Sequence, residues 1–201
     1  MVITDIKSQK TKDRVNIYLD GKFFSGALAE TVLSKGIKVG QEIGEVELDE
    51  LLVLSEGKYA FDKAIDYLSR RLHSEKEIRN KLKLKGYRPL VIDNTIAKLK
   101  EYGYLSDENF TAWVVECSGG KSKKEIEYLL QTKGVSKELA NKYLSLISTD
   151  DEKMNCENLA KKYMRGKEAE EKNLAKLYAY LSRKGYDGEV VKSTVTRFKK
   201  D

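Results

Sequence analysis

The residues best placed to do chemistry in this chain are cationic. Lys76, Arg79 and Lys83 recur at i, i+3 and i+7, on one helix face away from Ile78 and Leu82. Arg70 and Arg71 end the helical segment before them, and Arg88 opens the next. Such a stripe can hold phosphates or meet an acidic protein groove, although a solvated helix face would account for part of it. Lys121, Lys123 and Lys124 form a second, weaker candidate group. From Leu68 to Gly103 ten basic residues stand against four acidic ones, a surplus equal to the whole net charge of +6.

No catalytic, metal or cofactor constellation accompanies the stripe. Gly119-Gly120-Lys121-Ser122 has the end of a phosphate-binding loop, but Val115 stands where the leading Gly is needed and a helical pattern leads into it. A flexible loop ending in a helix-capping serine is the expectation. His73, the single histidine, has no close cysteine and reads as a surface residue between helices. Cys117 and Cys156 lie 39 residues apart, with the look of reduced structural thiols. No apolar run approaches the roughly 20 residues of a membrane span. Met1-Val2-Ile3-Thr4-Asp5 is unlike the start of a signal peptide, so a soluble cytoplasmic protein without a membrane role is expected.

The elements that must position the stripe form a repeat. Gly86, Gly134 and Gly185 are 48 and 51 residues apart, and the same offsets from them carry the same residue types. Eight before stand Ile78, Ile126 and Leu177, and four before stand Leu82, Leu130 and Leu181. One after come Tyr87, Val135 and Tyr186; five after, Val91, Leu139 and Val190. Ten after come Ile96, Leu144 and Val195; thirteen after, Leu99, Ile147 and Phe198.

Each module reads as three helices, of which the middle one has a legible start and stop. Twelve before the glycines are the caps Ser74, Ser122 and Asn173, with Glu77 and Glu125 completing capping boxes on the first two. Lys85, Lys133 and Lys184 precede the glycines as helix-end cations. Ser106 caps the first helix of the second module, and Pro89 suits the first turn of its helix. The cationic stripe does not repeat: its counterparts are Lys124, Glu127 and Gln131, then Ala175, Tyr178 and Ser182. Twelve tyrosines, Tyr102 and Tyr104 among them, could stack on bases, but core packing is the expected job of most.

The first fifty-odd residues differ. Val15, Ile17 and Leu19 alternate with polar positions as in a strand, and Asp20-Gly21 before Lys22-Phe23-Phe24 signals a two-residue hairpin. Met1 to Gln9 offers another strand. Ala27 to Ser34 and Glu47 to Ser55 read as short helices, stopped by Gly36 and Gly57. The expected fold is mainly α: three tandem three-helix modules, elongated and curved, after a small α+β domain with a β-hairpin. The expected divisions are 1–57, 58–104, 105–148 and 149–201.

Arg71-x-x-Ser74-x-x-Glu77-Ile78, then Leu82 and Lys85-Gly86-Tyr87, resembles the first-module signature of the RecX family. Gly103-Tyr104-Leu105-Ser106-Asp107-Glu108-x-Phe110-x-Ala112 is similar to the family's junction between its first and second modules. The hairpin around Asp13-Arg14-Val15-Asn16-Ile17 and Asp20-Gly21 resembles the extra segment of the family's longer members. The resemblance implies a monomeric, non-enzymatic, cofactor-free regulator in DNA repair, recombination and the SOS response. It implies binding to the RecA recombinase, alone and as a filament on single-stranded DNA, lodged in the filament's groove. It further implies suppressed ATP hydrolysis and strand exchange, and filament disassembly. Arg70, Arg71, Lys76, Arg79, Lys83 and Arg88 are the contact residues the charge pattern favours, with direct single-stranded DNA contact open. Two other readings stand beside this one: a nucleic-acid-binding helical module without RecA, and a helical adaptor for some other protein.

Overall fold

The computed structural model describes residues 1–10 and 13–199. Three antiparallel strands, β1 (Ile3–Ser8), β2 (Arg14–Leu19) and β3 (Lys22–Leu28), pair in chain order. Asp20 and Gly21 turn β2 into β3 with φ of 47° and 79°, the left-handed pair that the Asp-Gly signal requires. The period-2 pattern of β2 buries Ile17 and Leu19 on one face, where they meet Ile3, Ala27, Val32, Leu48 and Leu51.

Ten helices follow among the described residues. They are α1 (Ala29–Ser34), α2 (Glu45–Leu68), α3 (Glu75–Leu84), α4 (Pro89–Glu101), α5 (Asp107–Cys117), α6 (Lys123–Thr132), α7 (Lys137–Leu144), α8 (Thr149–Met164), α9 (Glu171–Arg183) and α10 (Gly188–Phe198). The chain forms two compact units, Met1–Arg71 with Ile78–Leu105 and Leu72–Glu77 with Ser106–Asp201.

Three expectations about element ends need correction. Ala27 and Leu28 finish β3, so α1 starts at Ala29. Gly57 stops nothing: α2 runs through it, because Leu48, Leu51, Leu52, Ala60 and Ala64 bury one continuous face across it. That burial outweighs the roughly 1 kcal/mol that glycine costs inside a helix. Asn173 does not cap α9, which begins at Glu171; its side chain donates instead to the Glu168 carbonyl at 3.0 Å.

The repeated offsets become three separate cores. Ile78, Leu82, Val91, Ile96 and Leu99 close over Ala60 and Ala64 in the first unit. In the second unit, Ile126, Leu130, Val135 and Leu144 pack with Phe110 and Val114. Leu177, Leu181, Tyr186 and Val190 pack with Cys156 and Ala160. Ser106 caps α5 through the Asn109 amide, and Pro89 opens α4, as their residue types dictate.

The middle helices end alike. Tyr87, Val135 and Tyr186 return their amides to Leu82, Leu130 and Leu181 over glycines at φ 85°, 84° and 83°. Each is a six-to-one closure in which only glycine is comfortable. Gly57 has no such demand, and open space surrounds the position of a Cβ. Gly57→Ala is therefore expected to raise stability by about 0.5–1 kcal/mol. Gly36→Ala, at φ 65°, should lower it by about 1 kcal/mol. Urea unfolding of the two variants checks these opposite signs.

Candidate interaction surface

The cationic stripe separates into residues with internal work and residues without. Arg79 Nη1 donates to Asp93 Oδ1 at 2.5 Å. Arg88 leans back on α2, donating to Asp49 at 3.1 Å and Glu56 at 3.3 Å. Arg70 holds Asp66 at 3.2 Å, and the hydrogen bonds from Lys63 and Arg70 keep the Asp66 carboxyl below its ordinary range. Arg71 is exposed just after α2. At Arg79 and Arg88 the charge is matched by acids of α4 and α2. Lys83 stays exposed, with no partner among the described residues, and so does Lys98 on α4. Lys81 lies over the Tyr67 ring at 4.5 Å.

Lys76 has a different task. In the second unit, the segment Leu72–Glu77 brings the start of α3 against the end of α6. Ser74 Oγ accepts from the Glu77 amide at 3.2 Å and donates to the Lys133 carbonyl at 2.7 Å. Lys76 Nζ donates to the Thr132 carbonyl at 3.2 Å, and Lys133 Nζ reaches Glu77 Oε1 at 2.7 Å. A Cβ on Gly134 would sit 2.7 Å from the Lys76 stem. His73, expected at the surface, is 5% exposed, its Nδ1 3.1 Å from Glu77 Oε2.

The start of α6 meets the end of α9 by the same rules. Ser122 Oγ accepts from the Glu125 amide at 3.1 Å and donates to the Lys184 carbonyl at 2.6 Å. Lys184 Nζ lies 3.4 Å from Glu125 Oε1, and the Lys124 stem crosses Gly185, 3.0 Å from where its Cβ would be. Both serines are fully buried. Glu77 completes its capping box at 3.4 Å, whereas the Glu125 carboxylate is turned to Lys184, so only the hydroxyl half of the second box forms. Lys133 and Lys184 are more than helix-end cations, and Lys124, though exposed, lays its stem across Gly185. Of the remaining weaker candidates, Lys121 is half-buried, and Lys123 is 3.9 Å from Glu152.

Among the described residues, the one middle-helix end without such a neighbour is that of α3. Leu84 is 87% exposed, Lys85 and Gly86 are exposed, and a Cβ on Gly86 would meet open space. Sequence reasoning passed over Leu84 and took Lys85 only as a helix-end cation. The available signal was Leu84 itself, an apolar residue outside the Ile78–Leu82 face. Tyr102 and Tyr104 are 60% and 55% exposed and stand edge-on to Phe61. Among the described residues, no group of three metal-ligating side chains converges, and no helix is long and apolar enough to cross a membrane.

Three family models match the chain: the regulatory protein RecX N-terminal domain over residues 1–44, the first RecX three-helix domain over 60–99 and the third over 150–195. Regulatory protein RecX of Clostridium beijerinckii is 33% identical over 97% of this chain and 94% of its own length. The chain belongs to the RecX family. Regulatory protein RecX of Clostridium botulinum is 35% identical over 96% of this chain and 94% of its own. A crystal structure of regulatory protein RecX shares the fold, with a TM-score of 0.69 at 24% identity, covering 95% of this chain and 97% of that one. The RecX from Lactobacillus salivarius gives 0.64 at 21% identity, over 72% of this chain and 97% of its own.

The glycine contrast yields an ordered expectation. Gly86→Ala carries only left-handed strain, about 1 kcal/mol. Gly134→Ala must also displace the Lys76 stem, adding about 1–3 kcal/mol, and Gly185→Ala falls between them. Thermal unfolding should rank Gly134→Ala the most damaging and Gly86→Ala the least.

Proposed function

We propose that this chain regulates the RecA recombinase without catalysing a reaction, binding it alone and as a filament on single-stranded DNA. It lodges in the filament groove, slows ATP hydrolysis and strand exchange, and favours disassembly. The observation that carries this reading is the match along nearly the whole chain to proteins named regulatory protein RecX. The uncompensated cations Lys83 and Lys98 and the exposed end of α3 give it a surface.

The physical logic is that of a lattice binder. A filament repeats its binding surface, so modules joined in one chain reach neighbouring protomers at high effective concentration. ATP sites of this recombinase lie between subunits, so a contact that alters subunit geometry alters hydrolysis. One titration tests the reading: this protein added to RecA on single-stranded DNA, with ATP hydrolysis followed. Falling hydrolysis is expected; unchanged hydrolysis at saturating protein would sink the proposal.

A second reading, direct single-stranded nucleic-acid binding without RecA, draws on the exposed Tyr102 and Tyr104 beside half-buried Phe61, with Lys98 nearby in sequence. It predicts tight binding to bare single strands that falls steeply with salt. Tighter binding to RecA-coated DNA than to bare DNA rejects it as the main function.

The two classes of cation give separable variants. Lys83→Gln with Lys98→Gln should weaken filament binding about tenfold while helicity and melting temperature hold. Arg79→Gln with Arg88→Gln should instead lower the melting temperature, since internal ion pairs are lost. Filament-binding titrations and circular dichroism on both pairs check the split.

A further inference from the structure

We propose that the exposed end of α3, Leu84-Lys85-Gly86, is a docking site for the capped N-terminus of a helix from a partner protein. The helix it fits begins with Ser or Thr, then any residue, then Lys and Glu. The proposal stands on the chain's own two occupied examples and is independent of whether RecA is that partner.

The occupied examples define the site residue by residue. A Lys-Gly helix end presents a carbonyl to a serine, an ammonium to a glutamate and a flat glycine to a lysine stem. Ser74, Lys76 and Glu77 use all three on Lys133 and Gly134. Ser122, Lys124 and Glu125 use all three on Lys184 and Gly185. The end of α3 carries the same Lys-Gly, the same left-handed glycine and the same six-to-one closure from Tyr87 to Leu82. Among the described residues, neither the Lys85 carbonyl nor its ammonium has a partner. A helix start also brings the positive end of its dipole to the negative end of α3. Leu84, 87% exposed, adds apolar area beside these polar groups.

Charge decides against a second copy of this chain as the occupant. Both Ser-x-Lys-Glu starts are already engaged within the second unit. The remaining middle-helix start, that of α9, carries Ala175 where the lysine stem is needed and Lys176 where the glutamate is needed. Lys176 against Lys85 would be repulsive, so a different protein must supply the acid.

The full-length chain, labelled with nitrogen-15, is titrated with a helix-stapled peptide of sequence 121–132, which begins Lys-Ser-Lys-Lys-Glu. A control peptide carries Ser122→Ala and Glu125→Lys. Saturable amide shifts at residues 84–87 are expected, with the control at least about fivefold weaker. Lys85→Glu, a change at an exposed position, should abolish the shifts while the rest of the spectrum holds. No saturable shift at residues 84–87, equal affinity of the two peptides, or an unaltered response in Lys85→Glu would overturn the proposal. So would a wild-type dimer in sedimentation that Lys85→Glu dissolves, since the occupant would then be a second copy.

Discussion

The second unit depends on one hydroxyl used in both directions. A buried serine at a helix start accepts from an amide of its own first turn and donates to the last carbonyl of another helix. Helix ends leave amides at one terminus and carbonyls at the other without internal partners. Ser74 and Ser122 each pair one orphan of each kind while fully buried. Losing that oxygen strands two polar groups in the interior, at about 1–3 kcal/mol for each. The surrounding residue types follow from this contact. Glycine must lie under the lysine stem, lysine must precede it to meet the glutamate, and glutamate must stand three after the serine.

This constraint changes how the basic composition is understood. Ten cations between Leu68 and Gly103 look like one electrostatic surface when counted along the sequence. In space they have several fates. Arg79 and Arg88 are held by acids far off in the chain, Lys76 is spread over a glycine, and Lys81 covers an aromatic ring. Formal charge counts ammonium and guanidinium groups, whereas a phosphate or an acidic partner feels those that remain uncompensated within a screening length of about 8–10 Å. Uncompensated charge on this helix thus lies toward its end, at Lys83 and Lys85, which are exposed with no partner among the described residues.

Local patterns were legible where the chemistry is local. The Asp-Gly turn, the Ser106 cap, Pro89 and the six repeating apolar offsets depend on neighbours within a few residues, and the structure places them as their types dictate. What was not legible depended on which of several local options the packed structure selects. Gly57 reads as a stop until the continuous face of α2 is seen to cover it. Asn173 reads as a cap by analogy with two serines, yet α9 begins earlier and the side chain serves Glu168. His73 looked exposed between two helices, yet it is buried with Nδ1 beside Glu77 Oε2, four residues on. Ser122 and Glu125 have the spacing of a capping box, but the Glu125 carboxylate meets Lys184, 59 residues away, and leaves the cap amide. Glu77 manages both contacts, taking Lys133 on Oε1 and the Ser74 amide on Oε2.

Repetition without identity is what gives the chain direction. A module that could both donate and accept at every position would stack without limit, one copy's last helix start on the next copy's first helix end. Heterologous contacts of that kind generate open filaments unless something stops them. Here the stop lies at one terminus of the series. The last middle helix carries Asn173, Ala175 and Lys176 at the offsets of the serine, lysine and glutamate. Replacing the acid with a base does more than remove an attraction, because it places like charges where the contact would form, the use of repulsion by which specific interfaces reject the wrong partner. The first middle helix keeps its accepting end intact: a Lys-Gly terminus, an open glycine and an exposed leucine. The same three offsets that close the chain against itself therefore leave α3 able to accept only a helix start of the opposite charge pattern.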